Sequence, residues 1–95
     1  MARKTVPFNH QGIGKLPDNK PVVYKILTDG GKNNYTGIAQ RGRVQERLTE
    51  HLGSGKDPVP GVKVVIEQHH SVAEARAQEQ RVIARSQPKY NEQGK

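Results

Sequence analysis

The 95-residue chain is 32% hydrophobic and 4% aromatic, a length for one domain built on a thin core. It contains no cysteine, which excludes a disulfide framework, a thiolate metal centre and a cysteine nucleophile. Sixteen Lys and Arg against nine Asp and Glu leave a formal charge of +7, and such a surplus on so small a body points to a polyanion, whose phosphates pair with basic side chains and release counterions. An anionic membrane surface is the rival partner, but it needs an amphipathic anchor, and none is visible. No apolar run approaches the roughly 18 residues of a span, and residues 1–20 lack the apolar stretch of a signal peptide. The expectation is a soluble, cytoplasmic protein with no membrane partner.

Residues 1–20 hold two Pro and two Gly without any period, and read as an arm with local turns. The GIG at 12–14 is too short for a phosphate loop and reads as loop. From residue 22, VVYKIL alternates, with Val22, Tyr24 and Ile26 on one face and Val23, Lys25 and Leu27 on the other. The turn-rich TDGGKNN leads to a second short strand, NYTGIAQ, with Tyr35, Gly37 and Ala39 on one face and Thr36 and Ile38 on the other. Together they predict an antiparallel hairpin. Val44, Leu48 and Leu52 then recur at i, i+4 and i+8, the period of a helix that Gly53 would stop. Residues 54–61 carry no regular pattern, and VKVVIEQ (62–68) is a third strand. Ser71 with Glu74 forms a capping box that opens a second helix, which Pro88 ends. The expected fold class is α/β (α+β), a three-stranded antiparallel sheet flanked by helices in the order β-β-α-β-α. An N-terminal arm spans 1–20, the domain 21–91 and a tail 92–95.

Polar residues stand where the core should be. Arg47 and His51 are i, i+4 neighbours on the same face as Val44, Leu48 and Leu52. In the second helix the inward stripe runs Val72, Ala75, Glu79, Val82 and Ile83. A carboxylate on an apolar face is costly unless something pairs with it. It could be one half of a salt bridge to Arg47, or a metal ligand or acid–base group. A sheet face bearing Tyr24 and Tyr35 could converge with Arg47, His51 and Glu79 on one spot. Hydroxyls, a guanidinium, an imidazole and a carboxylate suit phosphoryl transfer. His69 and His70 read as polar loop rather than a metal site.

On these residues the chain resembles the GIY-YIG nuclease family. Val22-Val23-Tyr24 matches its first signature and Tyr35-Thr36-Gly37 its second. Arg47 to His51 is similar to the family's R-x3-H helix. Residues 73–91 are similar to its closing helix, with Glu79, Ile83, Pro88 and Asn91 in order. The likeness covers residues 22–91. Val replaces Gly and Ile of the first signature, Thr36 replaces an aliphatic in the second, and residues 1–20 have no counterpart.

The resemblance implies a metal-dependent endonuclease that hydrolyses DNA phosphodiester bonds with low intrinsic sequence specificity, RNA remaining open as a substrate. It implies that Tyr24 or His51 deprotonates the attacking water and Tyr35 positions that water or the scissile phosphate. Arg47 would stabilise charge on the phosphate, and Glu79 would hold one divalent ion, Mg²⁺ with Mn²⁺ as the alternative. The stretch between Tyr35 and Arg47 is longer than usual, which leaves Arg41 or Arg43 as substitutes for Arg47. An ordinary tyrosine pKa of about 10 requires a cation near Tyr24, and Lys25, Arg47 and the metal are candidates. Lys25, Arg41, Arg43, Arg76 and Asn91 are the expected nucleic-acid contacts. The alternatives are a nucleic-acid-binding module without cleavage, or the nuclease toxin tip of a larger effector. A protein partner could supply targeting or inhibition.

Overall fold

The structure is a computed structural model that describes residues 3–52 and 59–87. Alternation in β2 (Val22–Leu27) places Val22, Tyr24 and Ile26 on one face, all fully buried. Strand β3 (Asn33–Ala39) pairs antiparallel with β2, and β4 (Lys63–Gln68) pairs antiparallel along the other side of β2. Tyr24 therefore lies between Gly37 and Ile66 in register. The two hairpin strands fall within a residue of where period-two alternation puts them.

The sheet has four strands rather than three. Residues Arg3–Pro7 form β1, antiparallel to β4, and the order across the sheet is β1-β4-β2-β3. The segment expected to be an arm is thus an outer strand followed by a helical turn, α1 (His10–Ile13). Gly12 and Ile13, expected in a loop, belong to that turn, which Asn9 caps by accepting from the Gly12 amide at 2.7 Å. The reason is tertiary: Val6 is the only buried residue of β1, and β4 supplies the backbone partners. Directly across the pair, Arg3 donates to Glu67 at 2.8 Å. Burial raises the Glu67 carboxyl, but the Arg3 hydrogen bond and the charges of His69 and Arg3 outweigh it and hold the group below its ordinary range.

The two faces of the sheet are covered by different helices. On the Tyr24 face, α2 (Val44–Glu50) contributes Val44 and Leu48, with Leu52 just beyond it, and Ile13 and Leu16 pack beside them. These join Val22, Ile26, Val64 and Ile66 in one core. On the opposite face, α3 (Val72–Ser86) lies across β2 and β3 and buries Ala75 and Val82, with Val82 near Val23 and Val65. Ser71 accepts from the Glu74 amide at 3.2 Å, as the capping-box spacing predicts, while the Glu74 carboxylate accepts from the His70 amide. Gln87 closes α3 in a left-handed conformation, φ 46°. Gly53 and Pro88, expected as helix stops, lie outside the described residues. Among the described residues no helix is long and apolar enough to cross a membrane.

At seven residues α2 is too short to hold itself, since isolated helices below about 12 residues are marginal. Its cap residue Arg43 makes no side-chain hydrogen bond that caps the helix backbone. The support comes from residues 14–18. The Asp18 carboxylate accepts from the Val44 amide at 2.7 Å, and the Asp18 carbonyl accepts from the Gly42 amide at 2.8 Å. Gln45 donates from its side chain to the Leu16 carbonyl at 2.9 Å. Gly42 makes the turn into the helix with φ 83°, a conformation that favours glycine. Asp18→Ala should therefore cost about 1 kcal/mol by urea denaturation, the usual loss of a cap, whereas Asp18→Asn should retain most of the stability.

Candidate active site

Antiparallel register puts Tyr24, Gly37 and Tyr35 on one sheet face, with Gly37 directly opposite Tyr24. A Cβ on residue 37 would stand 2.7 Å from the Tyr24 hydroxyl and 3.0 Å from the Tyr35 ring. Only glycine lets the Tyr24 ring lie across β3 at that point. The two tyrosine rings then stack with centroids 6.0 Å apart and planes 29° apart.

His51 follows the last residue of α2 and turns back over this pair. Its Nε2 lies 2.8 Å from the Tyr24 hydroxyl, and its ring is centred 4.7 Å from that of Tyr35. The His51 carbonyl accepts from the Val59 amide at 2.9 Å, so backbone as well as side chain fixes it. Tyr24 and His51 are both buried, and Tyr35 is half-buried.

Burial drives the Tyr24 phenol far above its ordinary value, and neighbouring Tyr35 adds to this. Arg47 pulls the other way without offsetting them. The hydroxyl thus keeps its proton at neutral pH and lies within hydrogen-bond reach of His51 Nε2, with the direction of that bond set by the imidazole tautomer. Of the cations expected to lower Tyr24, Arg47 is beside it, but Lys25 projects from the opposite sheet face.

Arg47 also reaches outward. It lines a cleft of about 280 Å³ at the free edge of β3, together with Ile38, Ala39, Gln40, Arg43 and Arg76. Within α2 its guanidinium lies 3.6 Å from the Glu50 carboxylate. No salt bridge joins it to Glu79, so the pairing considered from the sequence does not form. The charged neighbour of Glu79 is Arg76, one turn earlier on α3. Burial raises the Glu79 carboxyl, and Arg76 opposes that rise.

The convergence on a single spot is therefore divided. Tyr24, Tyr35, His51 and Arg47 come together on the α2 face of the sheet. Glu79 is half-buried on α3, which packs on the other face, and it contacts neither Tyr24 nor Arg47 through a hydrogen bond or ion pair. Helical periodicity correctly puts it on the inward stripe, but says nothing of which sheet face the stripe covers. Among the described residues no group of three or more His, Cys, Asp and Glu is arranged to hold a metal. A lone, half-buried carboxylate fits Mg²⁺, which keeps several waters and takes one or two carboxylates plus phosphate oxygens.

Of the expected nucleic-acid contacts, Arg43 and Arg76 line the cleft beside Arg47. Arg41 is exposed in the preceding turn, outside the cleft lining. Lys25 instead borders a separate groove with Arg3 and Lys32. Asn91 lies outside the described residues. His69, read as polar loop, is buried, with Nε2 3.0 Å from Glu67 and Nδ1 4.0 Å from Glu74. The first contact is an ion pair through which His69 helps lower the Glu67 carboxyl. His70 is exposed. Two residues that shape the site carried no functional signal in the sequence. Asp18 acts on an amide 26 positions away, and Gln40 reaches the cleft only through the strand edge.

No protein-family model, curated protein or solved structure matches the chain.

Tyr24→Phe should cost about 1–3 kcal/mol in chemical denaturation, because it removes the hydroxyl from a buried imidazole nitrogen. The native phenol also ionises later than an unfolded one. Its contribution is intact below the unfolded value near 10 and is lost as pH rises beyond it. Stability should fall above about pH 10 in the native protein, and less steeply in the Phe variant.

Proposed function

We propose that this chain is a metal-dependent endonuclease of the GIY-YIG type, hydrolysing DNA phosphodiester bonds with little sequence preference. The observation that carries the reading is the buried Tyr24–His51 hydrogen bond, with Tyr35 against both rings and Arg47 beside the hydroxyl. That set joins a proton donor to a proton acceptor next to a fixed positive charge, which is what attack of water on a phosphate diester requires.

The raised Tyr24 pKa supports a relay rather than a standing phenolate. Tyr24 would pass its hydroxyl proton to His51 Nε2 while taking one from the attacking water. Tyr24 then stays neutral throughout, and His51 ends as the imidazolium. The oxygen of the water forms its bond to phosphorus as the bond to the leaving oxygen breaks, and that oxygen takes a proton from solvent. Half-buried Tyr35 would orient the water at the solvent side of the pair, and Arg47 would lie against the non-bridging oxygens. Glu79, on the other face but one turn from Arg76 at the β3 edge that Arg47 also lines, is the carboxylate that would hold Mg²⁺ there, and the ion would supply Lewis-acid neutralisation of phosphate charge. The net charge of +7 supports binding that is electrostatic and nearly sequence-independent.

A second reading is favoured by one observation. Tyr24 is fully buried, as a purely structural tyrosine would be, which suits a nucleic-acid-binding module without cleavage. Plasmid nicking separates the two. The nuclease reading expects nicking in Mg²⁺ that EDTA abolishes, and no nicking in either would leave the binding module.

Within the nuclease reading, Arg47→Ala should lower kcat by roughly a hundredfold to a thousandfold, the usual loss of one charge-stabilising donor. Glu79→Gln should abolish cleavage while DNA binding persists or tightens. Its melting temperature in EDTA should equal or exceed that of the native protein. The sign follows from the raised pKa: a carboxyl whose folded value is raised adds stability at low pH and loses it as pH rises through that value. The ionised group is therefore a burden at neutral pH that Gln removes. Retained nicking by Glu79→Gln would overturn the metal-ligand role. DNA affinity should also fall steeply between low and moderate salt in a filter-binding series.

A further inference from the structure

The cleft at the edge of β3 has a composition that folding alone does not favour. Arg47 comes from α2 and Arg43 from its N-cap on one face of the sheet, and Arg76 comes from α3 on the other. Three guanidinium-bearing side chains line about 280 Å³, and the remaining lining is Ile38, Ala39 and Gln40, with no carboxylate among them. Like charges gathered this way repel unless an anion lies between them.

Each arginine has a glutamate three residues further along its helix. Arg43 bonds Glu46 at 3.0 Å, Arg47 lies 3.6 Å from Glu50, and Arg76 has Glu79 as its charged neighbour. None of these carboxylates lines the cleft. Glu46 and Glu50 steady their guanidinium groups from outside while Glu79 acts on Arg76 through charge alone, and a guanidinium carries five N–H donors, so one carboxylate leaves others free. The fork geometry of those donors matches phosphate oxygens. Because β3 is an outer strand among the described residues, the wall also presents backbone groups that no described strand takes up.

We propose that this cleft is a backbone-phosphate subsite, in which Arg43 and Arg76 hold the phosphodiester adjacent along the strand to the one that Arg47 stabilises. The assignment of that neighbouring phosphate rests on the nuclease reading above; the anion-binding character of the cleft does not. Arg47 faces both places, toward the Tyr24 hydroxyl and toward the cleft, and so links the two phosphates. The subsite would set where the strand lies over the tyrosines without reading a base, in keeping with phosphate contacts that position rather than specify.

The test compares two thymidine oligomers in EDTA, where cleavage plays no part: d(TpT), with one phosphodiester, and d(TpTpT), with two. Binding is followed by the side-chain Nε–Hε resonances of arginine over a salt series. The expected result is that d(TpTpT) shifts the resonances of Arg43, Arg47 and Arg76 together. Its log K against log salt should be steeper than that of d(TpT) by about 0.7, the single-strand value for one more phosphate contact. In the Arg43→Ala/Arg76→Ala variant the two slopes should coincide. Lys4→Ala, which removes an exposed charge from β1 at the far edge of the sheet, should leave the difference intact. The amide spectrum of each variant checks its fold. Equal slopes in the native protein, or a difference that survives in the double variant, would overturn the proposal. So would inorganic phosphate binding the cleft as tightly as d(TpTpT), since the ligand would then be a free anion. A protein that gives the expected slopes yet never nicks DNA would keep the anion cleft and lose the nuclease reading. Nicking with equal slopes would do the reverse.

Discussion

The hydrogen bond between the Tyr24 hydroxyl and His51 Nε2 is the constraint around which this small fold is arranged. It ties the central strand to the end of a helix that is too short to stand alone. For the bond to form, the Tyr24 ring must cross β3, which demands that residue 37 have no side chain. The other end of α2 must be held as well, and residues 14–18 do this through backbone and carboxylate contacts. A buried polar pair of this kind stabilises only when both members are satisfied. That requirement explains why so much of a 95-residue chain is committed to positioning two side chains.

The charge distribution follows from the two-faced sheet. The face under α2 is apolar apart from the tyrosines and His51, so charge on that side is confined to the rim, where Arg43 and Arg47 emerge. On the other face α3 is polar along most of its length and buries only Ala75 and Val82 fully. Basic groups from both layers meet where the sheet stops, at β3. A thin protein therefore builds this arginine-lined recess at an edge rather than in an interior cavity.

Much of this was legible in the residues. The alternation through Val22, Tyr24 and Ile26 fixed strand and face together, because side chains change sides at every residue. The i, i+4 relation of Arg47 and His51 to Leu48 and Leu52 likewise predicted that they share a helix face. His51 followed that face into the core, while Arg47 remained at its rim. What failed to show was long-range. Strand β1 buries one residue of five, so its composition resembles a loop, and only its partner β4 makes it a strand. The side of the sheet taken by α3 depends on the β4–α3 connection, where the His69 amide donates to the Pro21 carbonyl. No periodicity within the helix carries that information. Periodicity thus places Glu79 on the inward stripe, while the connection decides which sheet face that stripe covers.

The pairing of β1 with β4 also bears on how the chain reaches this structure. Arg3 finds its partner at Glu67, so one border of the sheet closes a loop of more than sixty residues, whereas β2 and β3 meet across a short turn. Loop-closure entropy makes the hairpin an early event and the outer strand a late one. During synthesis on the ribosome the first strand must wait, unpaired, until β4 has been made. Charge on an unpaired edge disfavours pairing with other chains, so Arg3 and Lys4, both exposed on β1, would guard that strand during folding as well as form part of its surface.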